Sequence, residues 1–335
     1  MMKNESQLFK GDDVSRQYGK EFGDKLPPLS SDVIAKKIFN PDEYPERIQF
    51  LLREISKDEG IVVESAAKQE GYTQSNTSKN VIFDVASWLR DGRIADLEFQ
   101  KVPQDYIMAR TEIYSANMLM IQYSVKNGEP KNHLDYTNAK STLLIVLMVK
   151  TPKTFEEKCK TTEKYIHRFY TKTSDTGVIY NPIASEIYVQ LDKCLEQFKR
   201  GYNAESADNL PDELQIWLSM IADINDEDLK ESIDTNPDLK KIRKEVSYLS
   251  QDKEVQAMLL EEKFAISDWI TAQSSAKEDG KKEGKEEGKE EGRLLEIIDS
   301  IISGDYSIER GAEKAKLSVQ ELCEKAALLG KNLKQ

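Results

Sequence analysis

The sequence predicts an α/β protein: a mixed central sheet flanked by helices, followed by a mostly helical C-terminal region. Three observations carry this. Short β-branched and apolar runs alternate with stretches of helical periodicity over the first two-thirds of the chain. One of those runs, "STLLIVLMV" (141–149), has no polar alternation, as expected of a strand buried on both faces. After about residue 200 the chain becomes acidic and helix-rich.

Residues 1–30 end in "KLPPLSS" and read as a loose leader. From Pro41, "PDEYPERIQFLLREIS" sets Ile48, Leu51, Leu52 and Ile55 at helical spacing, with acids in the first turn where the helix dipole favours them. "GIVVES" (60–65), "NVIFDVASWL" (80–89) and "RIADLEFQ" (93–100) read as strands, and Asp91-Gly92 between the last two is a hairpin signal. Residues 104–125 have a helical pattern, whereas "KYIHRFYT" and "SEIYVQL" alternate like strands. Residues 31–200 thus form the core. Residues 201–276 read as a helical region with Trp217 and Trp269 as core anchors.

In 277–293, Gly280, Gly284, Gly288 and Gly292 recur every fourth residue among Lys and Glu. This is a solvated, partly helical spacer, because soluble helices pair through apolar seams and none is present. The sharper alternative is a close-approach face for self-association, giving a homo-oligomer through the C-terminal helices. Residues 294–335 read as three short helices with a helix-turn-helix cadence and Ser307 and Ser318 as N-caps. The second helix of that pair, "VQELCEKAALLG", carries little base-reading chemistry, which favours a small docking bundle.

Composition limits the function further. The longest apolar run, "LLIVLMV", is too short to cross a bilayer, and "MMKNESQLFKGDD" lacks the apolar segment of a signal peptide. Cys159, Cys194 and Cys323 are scattered and odd in number, so a reducing cytoplasm is expected. The net charge of −12 is unevenly spread: residues 1–200 carry 29 basic and 29 acidic side chains, leaving 19 against 31 for the rest. A basic face on the first two-thirds therefore remains open, and charge by itself neither supports nor excludes nucleic acid. The two histidines, His133 and His167, sit in no HExxH or GxSxG setting, and there is no CxxC pair. Chemistry in this chain rests on carboxylates.

Two carboxylates stand out, Asp84 in "VIFDVASWL" and Glu98 in "ADLEFQK", because each interrupts a run that otherwise reads as buried. Buried acids need a partner or a cation. Hard divalent cations take carboxylate oxygens completed by carbonyls and water, and such ions drive phosphodiester hydrolysis. Strand alternation puts Glu98 and Gln100 on one face, and turns Phe99 and Lys101 to the other. The plain alternative is a pair of satisfied strand acids.

The ordered set of segments resembles the PD-(D/E)XK nuclease superfamily, in the branch described as PD-(D/E)XK nuclease family transposase or recombination-promoting nuclease. That superfamily places an Asp before a hairpin and (Asp/Glu)-x-Lys on the next strand. Here "E-F-Q" sets Gln100 at the Lys position. "DVIAKKIF" with "PERIQFLL", the "YIMARTEIYSANML" helix bearing Arg110 and Tyr114, and "EEKFAISDWITAQSSAKEDGKKEGKEEG" are similar to further segments of the family. The resemblance implies a restriction-endonuclease-like core and a metal-dependent DNA endonuclease using Mg²⁺ or Mn²⁺. It makes Asp84 and Glu98 the metal ligands and Gln100 the stand-in for the catalytic Lys. A first-helix acid often assists in the superfamily, with Glu43, Glu46 and Glu54 as candidates. Arg110 reads either as a phosphate contact or as an ion pair with Glu112 or Asp105. A nuclease fold that kept only DNA binding or assembly is the alternative function, motivated by the missing Lys and the acidic C-terminal third.

Overall fold

The computed structural model describes residues 12–67, 83–126, 129–130, 139–170, 172–180 and 183–333. Two compact units divide the chain at Glu262 and Lys263. His133 lies outside the described residues.

The first unit is built on a six-stranded sheet. Its strands are β1 (Val63–Ala66), β2 (Val85–Leu89), β3 (Ile94–Gln100), β6 (Thr142–Met148), β7 (Ile166–Phe169) and β10 (Ala184–Gln190). Their order is β1-β2-β3-β6-β10-β7. The β1–β2–β3 meander is antiparallel, β6 runs parallel to both β3 and β10, and β7 closes the edge antiparallel to β10. Two short ladders lie apart from this sheet: β4 (Val125–Lys126) with β5 (Glu129–Pro130), and β8 (Lys172–Thr173) with β9 (Ile179–Tyr180). The expected hairpin joins β2 to β3. Gly92 takes φ +87°, which only glycine adopts without strain, while the Leu89 carbonyl accepts the Gly92 N–H at 2.9 Å.

The unbroken apolar run of β6 is explained by its position between two cores. Leu143, Ile145 and Leu147 enter one cluster, and Leu144, Val146 and Met148 enter the other. The larger cluster gathers α1 (Asp12–Phe22), α2 (Asp32–Ile38), α3 (Pro45–Ser56), α6 (Leu191–Lys199), α7 (Glu213–Ala222), α8 (Lys230–Thr235) and α9 (Pro237–Leu249). The opposite face is covered by α4 (Ile107–Ser124) and α5 (Lys153–Lys158), through Ile107, Met118 and Phe155.

Three expectations need adjusting. The leader segment contains α1, whose Val14 and Tyr18, one turn apart, are buried in the main core. The helical stretch after residue 200 covers the sheet itself: Trp217, Ile221, Ile242 and Val246 belong to the same cluster as Ile145. Trp269 is half-buried and joins no core cluster, so only Trp217 acts as an anchor.

Helix α10 runs from Lys253 to Ile302 and carries the glycine repeat. All four glycines are exposed, and a methyl group added to any of them would meet open space. In the second unit the end of α10 packs with α11 (Ile308–Ala315) and α12 (Val319–Leu328) through Ile298, Ala312, Leu322 and Ala326. Ser307 and Ser318 cap these helices as expected. At Ser318 the cap is reciprocal: the Glu321 N–H donates to Ser318 Oγ at 3.2 Å, and the Ser318 N–H donates to the Glu321 carboxylate at 2.7 Å.

Candidate active site

Strand β3 lies between β2 and β6, so all seven of its residues are buried. Ala95, Leu97 and Phe99 fill the main core, which leaves Asp96, Glu98 and Gln100 on the face covered by α4. The β2–β3 ladder pairs Val85 with Leu97 and stops there. Asp84, in the bend leading into β2, thus comes opposite Glu98, and its Oδ2 accepts the Phe99 N–H at 2.8 Å. Asp96 Oδ1 accepts the Val85 N–H at 3.2 Å. Side-chain oxygens thereby take backbone donors where the ladder ends, and in doing so bring three carboxyls together.

Gathering acids in a dry place raises their proton affinity. Burial, then the neighbouring Asp32 charge, pushes Asp84 up to about 6, against the Phe99 N–H and the Lys101 and Lys36 ammoniums. Burial, then Asp84 and Asp96, pushes Glu98 up to about 9; the Arg110 guanidinium opposes this without cancelling it. Asp96, wholly buried beside Asp84, lies well above the usual carboxylate range. Among the described residues, Asp96 Oδ2 and Glu98 Oε2 are both buried without a hydrogen-bond partner. These orphaned oxygens and displaced pKa values describe a pocket short of positive charge, the condition a divalent cation relieves.

Among the described residues, no group of three His, Cys, Asp or Glu side chains is arranged to hold a metal alone. The donor set still suits a hard divalent cation, which takes carboxylate oxygens completed by carbonyls and water.

The other expected residues fall as follows. Gln100 donates its amide to the Val102 carbonyl, and its Oε1 accepts from Arg110 Nη1 at 3.3 Å. Arg110, on α4, pairs neither with Glu112 nor with Asp105; its Nη2 donates to Glu98 Oε1 at 2.7 Å and to the Tyr114 hydroxyl at 2.8 Å. Lys101, just past the end of β3, pairs with Asp32 and Glu262, and its ammonium bears on Asp84.

None of the three helix acids reaches the cluster. Glu46 is exposed, Glu43 accepts from Asn40 at 3.2 Å, and Glu54 pairs with Lys57 at 3.6 Å. The helix acid whose charge bears on Asp84 and Glu98 is Asp32, in the first turn of α2. Sequence reasoning missed it together with Asp96. For Asp96 the signal was present, since it shares the period-2 face of Glu98 and Gln100. For Glu262, which accepts from Ser31 Oγ at 2.5 Å and the Asp32 N–H at 3.0 Å, no local signal exists across 230 residues of sequence.

The family model for PD-(D/E)XK nuclease family transposases matches residues 29–276. No curated protein and no solved structure matches the chain. The match spans both faces of the sheet and the strands that bring Asp84 and Glu98 together, and the mixed six-stranded sheet flanked by helices is consistent with a restriction-endonuclease-like fold. The chain belongs to the PD-(D/E)XK nuclease family transposases.

Proposed function

We propose that this chain is a divalent-metal-dependent DNA endonuclease of the cytoplasm, acting in recombination or the movement of mobile elements. The observation that carries the reading is the buried group of Asp84, Asp96 and Glu98, with an orphaned Glu98 oxygen and too little positive charge around it. Family membership gives the group its chemistry. Asp84 and Glu98 would hold the cation, and a cation held there would supply a more acidic water and neutralise charge on the phosphate. The Asp84 carboxylate is fixed by the Phe99 N–H, and the walls of β3 and α4 keep bulk water from Glu98. Gln100, held by Val102, lines the site as a neutral amide and cannot act as the ammonium of the usual motif. In the hydrolysis, a water oxygen bonds to phosphorus as the bond to one sugar oxygen breaks, and the proton that the water gives up is balanced by the one that the leaving sugar oxygen takes up.

Supercoiled plasmid incubated with the purified protein and Mg²⁺ or Mn²⁺ tests this, with Glu98→Ala and Asp84→Ala in parallel and EDTA as control. Metal-dependent nicking by the wild type that both variants lose supports the reading. Equal cutting by wild type and variants sinks it. A second reading, a nuclease fold kept for DNA binding or assembly without cleavage, is favoured by the Arg110 guanidinium already occupying Glu98 Oε1. It predicts no cutting under either metal.

A further inference from the structure

Gln100 brings no charge to the acids, and Lys101, whose charge bears on Asp84, is itself tied to Asp32 and Glu262. The cation touching Glu98 comes instead from α4. Arg110 donates through Nη2 to Glu98 Oε1 at 2.7 Å and to the Tyr114 hydroxyl at 2.8 Å. Through Nη1 it reaches Gln100 Oε1 at 3.3 Å and Gln104 Oε1 at 3.4 Å. The last two bonds are long and have neutral acceptors, so little holds Nη1 in place. Exposure gives the direction of approach: the Glu98 side chain is 5% exposed and that of Arg110 is 32% exposed. The guanidinium therefore stands between the buried carboxylate and solvent, where an incoming phosphodiester meets it first. Its planar fork suits two phosphate oxygens at once, which a lysine ammonium does not match.

We propose that Arg110 is a catalytic residue that donates to the non-bridging oxygens of the scissile phosphate and supplies the positive charge absent at Gln100. The proposal rests on the nuclease reading above. The guanidinium stays protonated throughout, and its contribution is to charge that grows on the phosphate oxygens as the water oxygen bonds and the sugar oxygen departs. The same pairing makes Arg110 a competitor of the divalent cation for Glu98 Oε1. Losing it should therefore separate turnover from metal binding, which a purely structural arginine would not do.

The experiment compares wild type, Arg110→Gln, Arg110→Lys, Lys36→Gln, Lys101→Gln and the double variant Gln100→Lys/Arg110→Gln. Plasmid nicking gives the rate and Mn²⁺ titration calorimetry gives the affinity. Removal of a preorganised donor to developing charge costs about 100-fold in rate. The expected result is a loss of about that size in Arg110→Gln with Mn²⁺ affinity equal or tighter, and recovery of about tenfold or more when Gln100→Lys is added. Arg110→Lys, which keeps the charge and loses the fork, should fall between wild type and Arg110→Gln. Nicking by Arg110→Gln within a few-fold of wild type overturns the proposal, as does a rate loss confined to Lys36→Gln or Lys101→Gln. So does a parallel fall in Mn²⁺ affinity without rescue. If Arg110→Gln does not fold, as judged by circular dichroism, folded Arg110→Ala takes its place with the same expected loss of about 100-fold, and a rate within a few-fold of wild type overturns the proposal. A wild type inert under both metals but able to bind Mn²⁺ removes the nuclease reading itself, a result separate from the failure of Arg110.

Discussion

Replacing Glu98 by glutamine isolates the electrostatic cost of the acidic pocket. In the folded chain the Glu98 carboxyl is pushed from its ordinary value of 4.5 up to about 9 by burial and by Asp84 and Asp96. Between those two values the folded protein holds a proton that the unfolded chain has released. Stability from this group is therefore full below about 4.5 and is lost as the pH rises toward 9. One proton's difference amounts to about 1.4 kcal/mol per pH unit. From pH 6.5 to 8.5 the wild type in EDTA should lose roughly 2–3 kcal/mol through Glu98. Asp84, near 6, has largely titrated by then, and Asp96 is present in both proteins. Urea unfolding followed by tryptophan fluorescence reads the difference, since Trp217 is buried against Phe50 with ring centroids 5.2 Å apart. The wild type should weaken steeply with pH while Glu98→Gln stays flatter, and Mn²⁺ should restore the wild type more than the variant. Parallel slopes in EDTA would refute the reasoning, because they would mean that Glu98 is already ionised in the fold and fully satisfied by Arg110.

Two further outcomes follow from the packing. Glu262→Ala removes the acceptor of the Ser31 hydroxyl and the Asp32 N–H and leaves Lys101 partly buried with one acid, at a cost of about 2 kcal/mol in urea; an unchanged unfolding midpoint would contradict the role given to Glu262. Gly311→Ala sets a methyl group against the Ile301 and Ile297 side chains where α11 packs on α10, so overpacking should cost about 1–3 kcal/mol. Thermal melts by circular dichroism would show this as earlier loss of helix, and a melt matching the wild type would argue against close packing at Gly311.

Much of this molecule is legible locally. The two-faced apolar run of β6, the Asp91-Gly92 hairpin and the caps at Ser307 and Ser318 are each decided by side chains within a few residues of one another. The face shared by Glu98 and Gln100 follows from strand alternation alone. The helix acid that bears on the site is not legible locally: Glu43, Glu46 and Glu54 are close to it only in sequence, whereas nearness in space depends on how α2 docks. The partner of Arg110 is likewise not one of its sequence neighbours Asp105 and Glu112 but Glu98, on a strand.

What the sequence by itself determined is the strands and helices of the core around β2, β3 and β6, and the two acids flanking the β2–β3 hairpin, because periodicity and turn chemistry act over a few residues. Only the tertiary structure decided that Asp96 joins those acids, that Arg110 stands over Glu98, and that Glu262 holds Asp32 and Lys101 from 230 and 161 residues away. Charges interact through space with little regard to chain separation, and burial strengthens them by removing the water that would screen them. The acidic pocket is therefore a product of folding.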